Sequence, residues 1–393
     1  MFLDTLALKK VIRSRLVQNR PNILCLGRPA FSDDLVELNE SCEALRFIDL
    51  RIQGNSAFIL KRSRRFQSLK QWSFFAGEEQ TKALFEPATK SVERAIAPYV
   101  DSGEIVGFMS ANYNYFQDEP FLQASRTFSM PFFVLMREYP YSPHTEEYHA
   151  QLLEAKRFPR RGHFGLLAGP RSMVYTTKWG GFSEKDTELT GFPRLDRIRK
   201  LDISAPRKHG LLMFEFEAGL RAPAEQFYPT LQTVLQWCET NGVEMTLRCK
   251  NASRARVLEH ELRRTGFWPS RSGLMKIAFE DLQSDLATSH IVVGANTMGL
   301  YEGLFSSASV ISVASDSFSI PDSTEITNEP ESKLFSVQTP AQLVDALNHS
   351  QSTADSPPSS AGQRELLKSK TFTQPPEGSA IKIENVIKRQ VGL

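Results

Sequence analysis

The chain is poor in the features that would narrow its function quickly. Its 393 residues include four cysteines. Cys25, Cys42, Cys238 and Cys249 share no CxxC spacing, which excludes a zinc knuckle and a disulfide framework. Cys25 and Cys249 lie in apolar, strand-like runs and are expected as small core residues. No stretch approaches the ~18 consecutive apolar residues of a membrane span, and no signal-peptide h-region stands near Met1. The expected location is the cytoplasm, with peripheral contact at the inner face of the cell membrane as an alternative. Net charge is only +2, so there is no general electrostatic reason to expect a nucleic-acid partner. The seven histidines are dispersed. His144 and His149 are i, i+5, and His290 opens a strand-like run; with no HExxH or other close ligand pair, no metal is expected. GxSxG, GxxxxGK(S/T) and GxGxxG are all missing, which removes the simplest hydrolase, kinase and dehydrogenase readings.

What is present has a globular composition, 41% hydrophobic and 23% charged. The length suits two domains of about 150–200 residues rather than one core. Apolar runs alternate with amphipathic ones. NILCLG (22–27), EIVGFMS (104–110), PFFVLMRE (131–138) and SMVYTT (172–177) read as strands, followed later by HGLLMFEFE (209–217), VEMTLRCK (243–250), SHIVVGAN (289–296) and ASVISVAS (308–315). Helical patterns separate them, and near-continuous apolar strands of this kind belong to parallel sheets covered on both faces. The expected fold class is α/β, two doubly wound Rossmann-like domains facing a cleft. The expected boundaries are an N-terminal domain over 1–200, a C-terminal domain over 201–345, a polar Ser/Pro-rich linker over 346–363 and a tail helix within 364–393.

Charge is uneven along the chain. Lys9, Lys10, Arg13, Arg15 and Arg20 are spaced among Leu6, Leu8, Val11, Ile12 and Leu16, a pattern compatible with an amphipathic helix. KRSRRF (61–66) and KRFPRRGHF (156–164) are further basic clusters. A solvated face is the ordinary reading, and contact with anionic lipid the alternative.

SHIVVGANTMGLYEGL (289–304) is the most informative segment. A buried strand ends at Gly294, where backbone approaches closely, and Asn296 or Thr297 is placed to cap the helix that follows. Free amides at that end favour an anion such as phosphate. Glu302, about one and a half turns further on, is a candidate for a ribose hydroxyl. An ordinary capped helix with a surface Glu is the alternative. TGFPRLDRI (190–198) reads either as a solvated turn or as a linker at a ligand cleft.

In this order the motifs resemble a known group. GANTMGLYEGL is similar to the glycine, Ser/Thr, helix, Glu pattern of the nucleotide-binding domain of GT-B glycosyltransferases. LTGFPRLDRI is similar to the TG-x-PR-x-D motif of bacterial surface-carbohydrate glycosyltransferases and their CDP-glycerol glycerophosphotransferase relatives. FFVLMREYPYSPHTEEY and PPEGSAIKIENVI resemble two further segments of that group, so the likeness runs from about Ile105 to Ile387. Many relatives carry a His-Pro pair after the strand equivalent to VEMTLRCK. Here LRCKNAS keeps Lys250 without it, which puts the type of donor in doubt.

The resemblance implies a cytoplasmic, metal-independent glycosyltransferase without a resident cofactor. Its donor would be a CMP-, CDP- or UDP-linked sugar, its acceptor a surface polysaccharide or lipid-linked glycan. The donor would meet the amides near Thr297 and Met298, with Gly294, Asn296 and Glu302 beside them and Lys250 and Arg194 as cations. Thr190 and Gly191 would shape the turn, and Arg194 would face phosphate or pair with Asp196. Glu138, just past a strand end, is the first choice of base, and Asp33 and Asp34 in the loop after the first strand are the alternative. Asp118 and Glu119 are weaker, in a segment that reads as an exposed turn. Tyr113, Tyr115, Tyr139 and Tyr141 are candidates for sugar stacking or for packing. Competing readings are a CDP-polyol-dependent polyol-phosphate transferase, a non-catalytic GT-B scaffold subunit, and a nucleotide-sugar hydrolase or epimerase.

Overall fold

The computed structural model describes residues 5–17, 19–27, 31–50, 78–111, 118–136, 162–178, 181–200, 210–216, 224–269, 273–295, 297–314 and 325–393. The chain divides into two compact units. The first takes the described residues from Thr5 to Met136, from 162 to Asp196, and Thr371–Leu393; the second takes those from Arg197 to Lys370.

Each unit is built on one all-parallel, six-stranded sheet. In the first unit β1 (Asn22–Cys25), β2 (Arg46–Asp49), β3 (Ile105–Ser110), β4 (Phe132–Met136), β5 (Phe164–Leu167) and β6 (Thr187–Leu189) lie in the order 2-1-3-4-5-6. Helices α1 (Thr5–Arg13), α2 (Ser32–Ser41), α3 (Glu78–Asp101), α4 (Glu119–Thr127) and α5 (Pro170–Lys178) alternate with them, followed by α6 (Pro193–Arg199). β1, β4 and β5 are buried along their whole length, as a sheet covered on both faces requires. In α1, Leu8 and Ile12 turn inward while Leu6, Lys10 and Arg13 stay exposed.

The second unit has β7 (Gly210–Phe214), β8 (Glu244–Arg248), β9 (Met275–Ala278), β10 (Ser289–Gly294), β11 (Ser309–Val313) and β12 (Leu334–Val337), in the order 12-11-10-7-8-9. The chain starts at β7 in the middle, builds outward to β9, returns to β10 on the other side and builds out again. The reversal between β7 and β10 is a topological switch point, where open α/β sheets gather ligands at the carboxyl ends of the strands. The helices are α7 (Ala224–Asn241), α8 (Ala252–Thr265), α9 (Leu282–Thr288), α10 (Met298–Gly303), α11 (Pro340–Ser352) and α12 (Gln363–Thr371); α13 (Ser379–Val391) closes the chain in the first unit.

Two expectations fail locally. SMVYTT is not a strand but lies in α5. Pro170 sets the helical φ at its first position, and Ser172, Tyr175 and Thr176 turn inward at i, i+3, i+4 while Val174 is exposed. The polar stretch from Ala346 is not a loop at its start, because α11 runs on to Ser352. A capping box of Thr339 and Gln342 begins that helix, and Leu343, Ala346 and Leu347 bury its inner face. The tail differs from the expected division too, since α13 packs Ala380, Ile383, Val386 and Ile387 into the core of the first unit.

Candidate nucleotide-binding site

At the switch point of the second unit, β10 delivers the chain to a short helix. Gly294 ends the strand and is buried; Thr297 is the N-cap of α10, its hydroxyl accepting the Gly299 N–H at 3.3 Å. Met298 is the first helical residue, so its N–H has no intrahelical acceptor. Phe214, at the end of β7, lies against this turn so closely that a Cβ at position 299 would overlap its ring; Gly299 is the residue that fits. Glu302, expected as a surface carboxylate or a ribose partner, is only 2% exposed. Asn296 lies outside the described residues.

The neighbouring strand ends are charged. Lys250 is exposed between β8 and α8, and Asn251 caps α8 by accepting the Arg254 N–H at 2.9 Å. Arg254 Nε reaches back to the buried Glu215 carboxylate, which follows β7. Burial works against the Arg254 charge, but the bond to Glu215 and the nearby Glu261 outweigh it and hold the guanidinium more firmly protonated than usual. Burial, reinforced by Glu215, pushes the Cys249 thiol up to about 12, so it stays a thiol at neutral pH. Arg248 is turned elsewhere, pairing with Asp285 at 2.6 Å. Sequence reasoning singled out Gly294 as a strand end and Thr297 as an N-cap, which is where they stand, and named Lys250 as a candidate cation. It missed the Phe214–Gly299 fit and the Glu215–Arg254 pair, for which no local pattern exists.

The other motif belongs to the first unit. Thr190 is fully buried, and the N–H groups of Thr190 and Gly191 both donate to the Leu167 carbonyl, at 2.9 and 3.1 Å, where β5 ends. Gly191 has φ +69°, and a Cβ there would come within 2.6 Å of the Thr373 carbonyl oxygen. TGFPRLDRI is therefore mostly helix rather than a turn, with Pro193 at the first position of α6. Asp196 does not pair with Arg194. Its carboxylate accepts the Ser379 and Ala380 N–H groups at 2.6 and 3.2 Å and the Ser379 hydroxyl at 3.1 Å, capping α13. Arg194 stacks over Phe192 at 5.0 Å, and its own N–H donates to Asp34 Oδ1 at 3.1 Å.

The carboxylates considered as bases are placed differently from expectation. Asp33 and Asp34 stand in the first turn of α2 rather than in a loop; Asp33 is exposed, and Asp34 is fully buried against α6. Asp118 and Glu119 are each only 6% exposed, not on an open turn, and Ser110 Oγ donates to Asp118. Glu138 lies outside the described residues, as do Tyr113, Tyr115, Tyr139 and Tyr141. No described helix is long and apolar enough to cross a membrane.

The two sheets with their interleaved helices define a two-domain Rossmann-like chain of the GT-B fold. No family model matches it, and no curated protein matches it. Solved structures of similar fold include the Methanocaldococcus jannaschii UDP-GlcNAc 2-epimerase in complex with UDP-GlcNAc and UDP. That match has a TM-score of 0.53 and 10% identity over 94% of this chain and 99% of that one. The S. aureus MnaA–UDP structure matches with a TM-score of 0.53 and 14% identity over 95% and 97% of the two chains. A glycosyltransferase from Rickettsia africae ESF-5 matches with a TM-score of 0.50 and 10% identity over 95% and 99%. At such identities the likeness is one of fold.

Proposed function

We propose that this chain is a nucleotide-sugar-dependent glycosyltransferase whose second unit holds the donor nucleotide at the carboxyl edge between β7 and β10. The observation that carries the reading is the pairing of Gly294 at the end of β10 with the Thr297 cap that opens α10, set at the switch point of the sheet. The fold is also that of proteins solved with UDP and UDP-GlcNAc bound. In this reading the Met298 amide and Lys250 meet the donor phosphates, and Glu302 accepts from the ribose. Glu138, two residues past the end of β4, takes the proton of an acceptor hydroxyl. The acceptor oxygen bonds to the anomeric carbon, the bond from that carbon to the phosphate oxygen breaks, and the nucleotide leaves with the electron pair. The acceptor is a glycan or a lipid-linked glycan.

A thermal-shift panel with CMP, CDP, UDP, GDP and ADP on wild type and Glu302→Gln tests the site. Ligand at ~100 times its Kd stabilises by roughly 2.7 kcal/mol, and the shift is expected to shrink in the variant. Absence of any shift with every nucleotide would remove the reading. Glu138→Gln is expected to keep the nucleotide shift and lose turnover; full turnover would eliminate Glu138 as the base. Products separate the competing chemistries, since transfer of a sugar from a UDP-sugar releases UDP, whereas epimerisation leaves the nucleotide attached.

A further inference from the structure

We propose that Arg364 is the positioning residue of the nucleotide site: its buried guanidinium holds the carboxyl end of α10 and thereby sets where Thr297 and the first amides of that helix stand. The inference deepens the nucleotide-binding reading and rests on it.

Arg364, in the first turn of α12, is 0% exposed. Its Nε donates to the Leu304 carbonyl at 2.9 Å and its Nη1 to that of Ser332 at 3.2 Å. Nη2 donates to the carbonyls of Gly303, Ser306 and Ala308 at 2.9, 2.6 and 3.0 Å. Gly303, Leu304 and Ser306 form the last residue of α10 and the turn after it, where carbonyls run out of α-helical partners. Ala308 immediately precedes β11, and Ser332 stands two residues before β12. One side chain thus ties the end of α10 to the approaches of two strands. The chemistry selects arginine: five N–H donors in a planar fork satisfy several carbonyls at once, whereas a lysine has three donors at a point and no fork.

The anchor is itself anchored. Glu329 Oε2 accepts the Gln363 N–H at 2.6 Å, and the Gln363 side chain accepts the Thr327 N–H at 3.0 Å. By contrast α10 has six residues, fewer than two turns, and helices so short do not hold their place by their own hydrogen bonds. Around it the Phe214 ring packs at Gly299, and Val292 and Val310 lie beside Gly303. Such contacts are non-directional, whereas the three hydrogen bonds from Arg364 to Gly303, Leu304 and Ser306 fix the end of the helix in direction and distance. Amide donors misplaced by about 1 Å lose much of their hold on a ligand.

The test uses the full chain as wild type, Arg364→Lys and Arg364→Ala. UDP is titrated calorimetrically, with CDP and CMP as parallel probes, and amide hydrogen exchange is followed without ligand. Arg364→Lys is expected to fold, to bind the nucleotide roughly tenfold or more weakly, and to exchange faster at 297–308 while β7 and β8 keep wild-type protection. Methylguanidinium is expected to restore affinity in Arg364→Ala. A wild type that binds none of the three nucleotides removes the underlying reading, and the proposal with it. A wild type that binds while Arg364→Lys binds equally well overturns the role of Arg364 alone. Faster exchange throughout the second unit, or failure of both variants to fold, assigns Arg364 to general stability and also overturns it.

Discussion

Asp196 is the residue whose environment departs furthest from what its place in the sequence suggests. Burial lifts its pKa, the N–H and O–H groups of Ser379 and Ala380 pull it down, and Glu37 on α2 adds a further upward push; the net direction is up. The folded protein therefore holds a proton on Asp196 more readily than the unfolded chain does. Stability gained that way is present at low pH and declines as pH rises through the folded pKa. Asp196→Asn removes the titration but keeps an oxygen to accept from α13. The melting temperature of Asp196→Asn relative to wild type is expected to rise between about pH 4 and pH 7, the window above the ordinary carboxylate range. A flat or falling difference over that window would contradict the assignment. Asp285 behaves alike: burial raises its pKa although Arg248 pulls against it.

At the scale of elements, the first unit is laced by carboxylates that accept backbone amides from a neighbouring segment. Asp34 on α2 accepts from α6, Asp196 on α6 accepts from α13, and Glu384 on α13 accepts from Ala44 and Leu45 just beyond α2. The starts of α6 and α13 are held in this way, and Glu384 holds the segment between α2 and β2; each such charge-assisted bond contributes more than a neutral one. In the second unit the corresponding precision lies at Gly299. Gly299→Ala forces a methyl group into the Phe214 ring and is expected to cost about 1–3 kcal/mol and to weaken nucleotide binding. Combining it with Phe214→Leu makes room and is expected to recover part of both losses, a coupling within the about 0.5–3 kcal/mol range for residues in contact. Simple additivity in that double-mutant cycle would show that the two do not meet.

Over the whole molecule, the last 23 residues belong to the core of the first unit rather than to an appendage. Ile383, Val386 and Ile387 are fully buried. At about 1.5–3 kcal/mol each, their burial is comparable with the about 5–15 kcal/mol that holds a domain together. A chain ending at Lys370 is expected to lose the first unit, read as rapid proteolysis of segments from α2 to α6 while the second unit survives. Wild-type resistance in that truncated chain would show the tail to be dispensable. The ion pairs of Glu188 with Lys382 and Arg389 add little, because partly exposed pairs contribute about 0–1 kcal/mol.

How much of this was legible follows from what is local in a chain. Apolar runs such as NILC, FFVLM and SHIVVG are fully buried strands whose sequence alone says so, and their alternation with helices sets the α/β class. Gly294 and Thr297 could be picked out because a strand end and an N-cap have fixed residue preferences. Short strands such as β6 and β9 were not legible: three or four residues become strand through their pairing partners, not through their own pattern. Nor was the role of Asp196, whose partner stands 183 residues away, or of Arg364, which reads as one more charge on a polar helix. Hydrophobic periodicity is written residue by residue, so the sequence by itself determined the α/β class and the central strands of the two sheets. A buried charge takes its meaning from the amides and carbonyls brought to it by distant segments, and only the tertiary structure decided which those are.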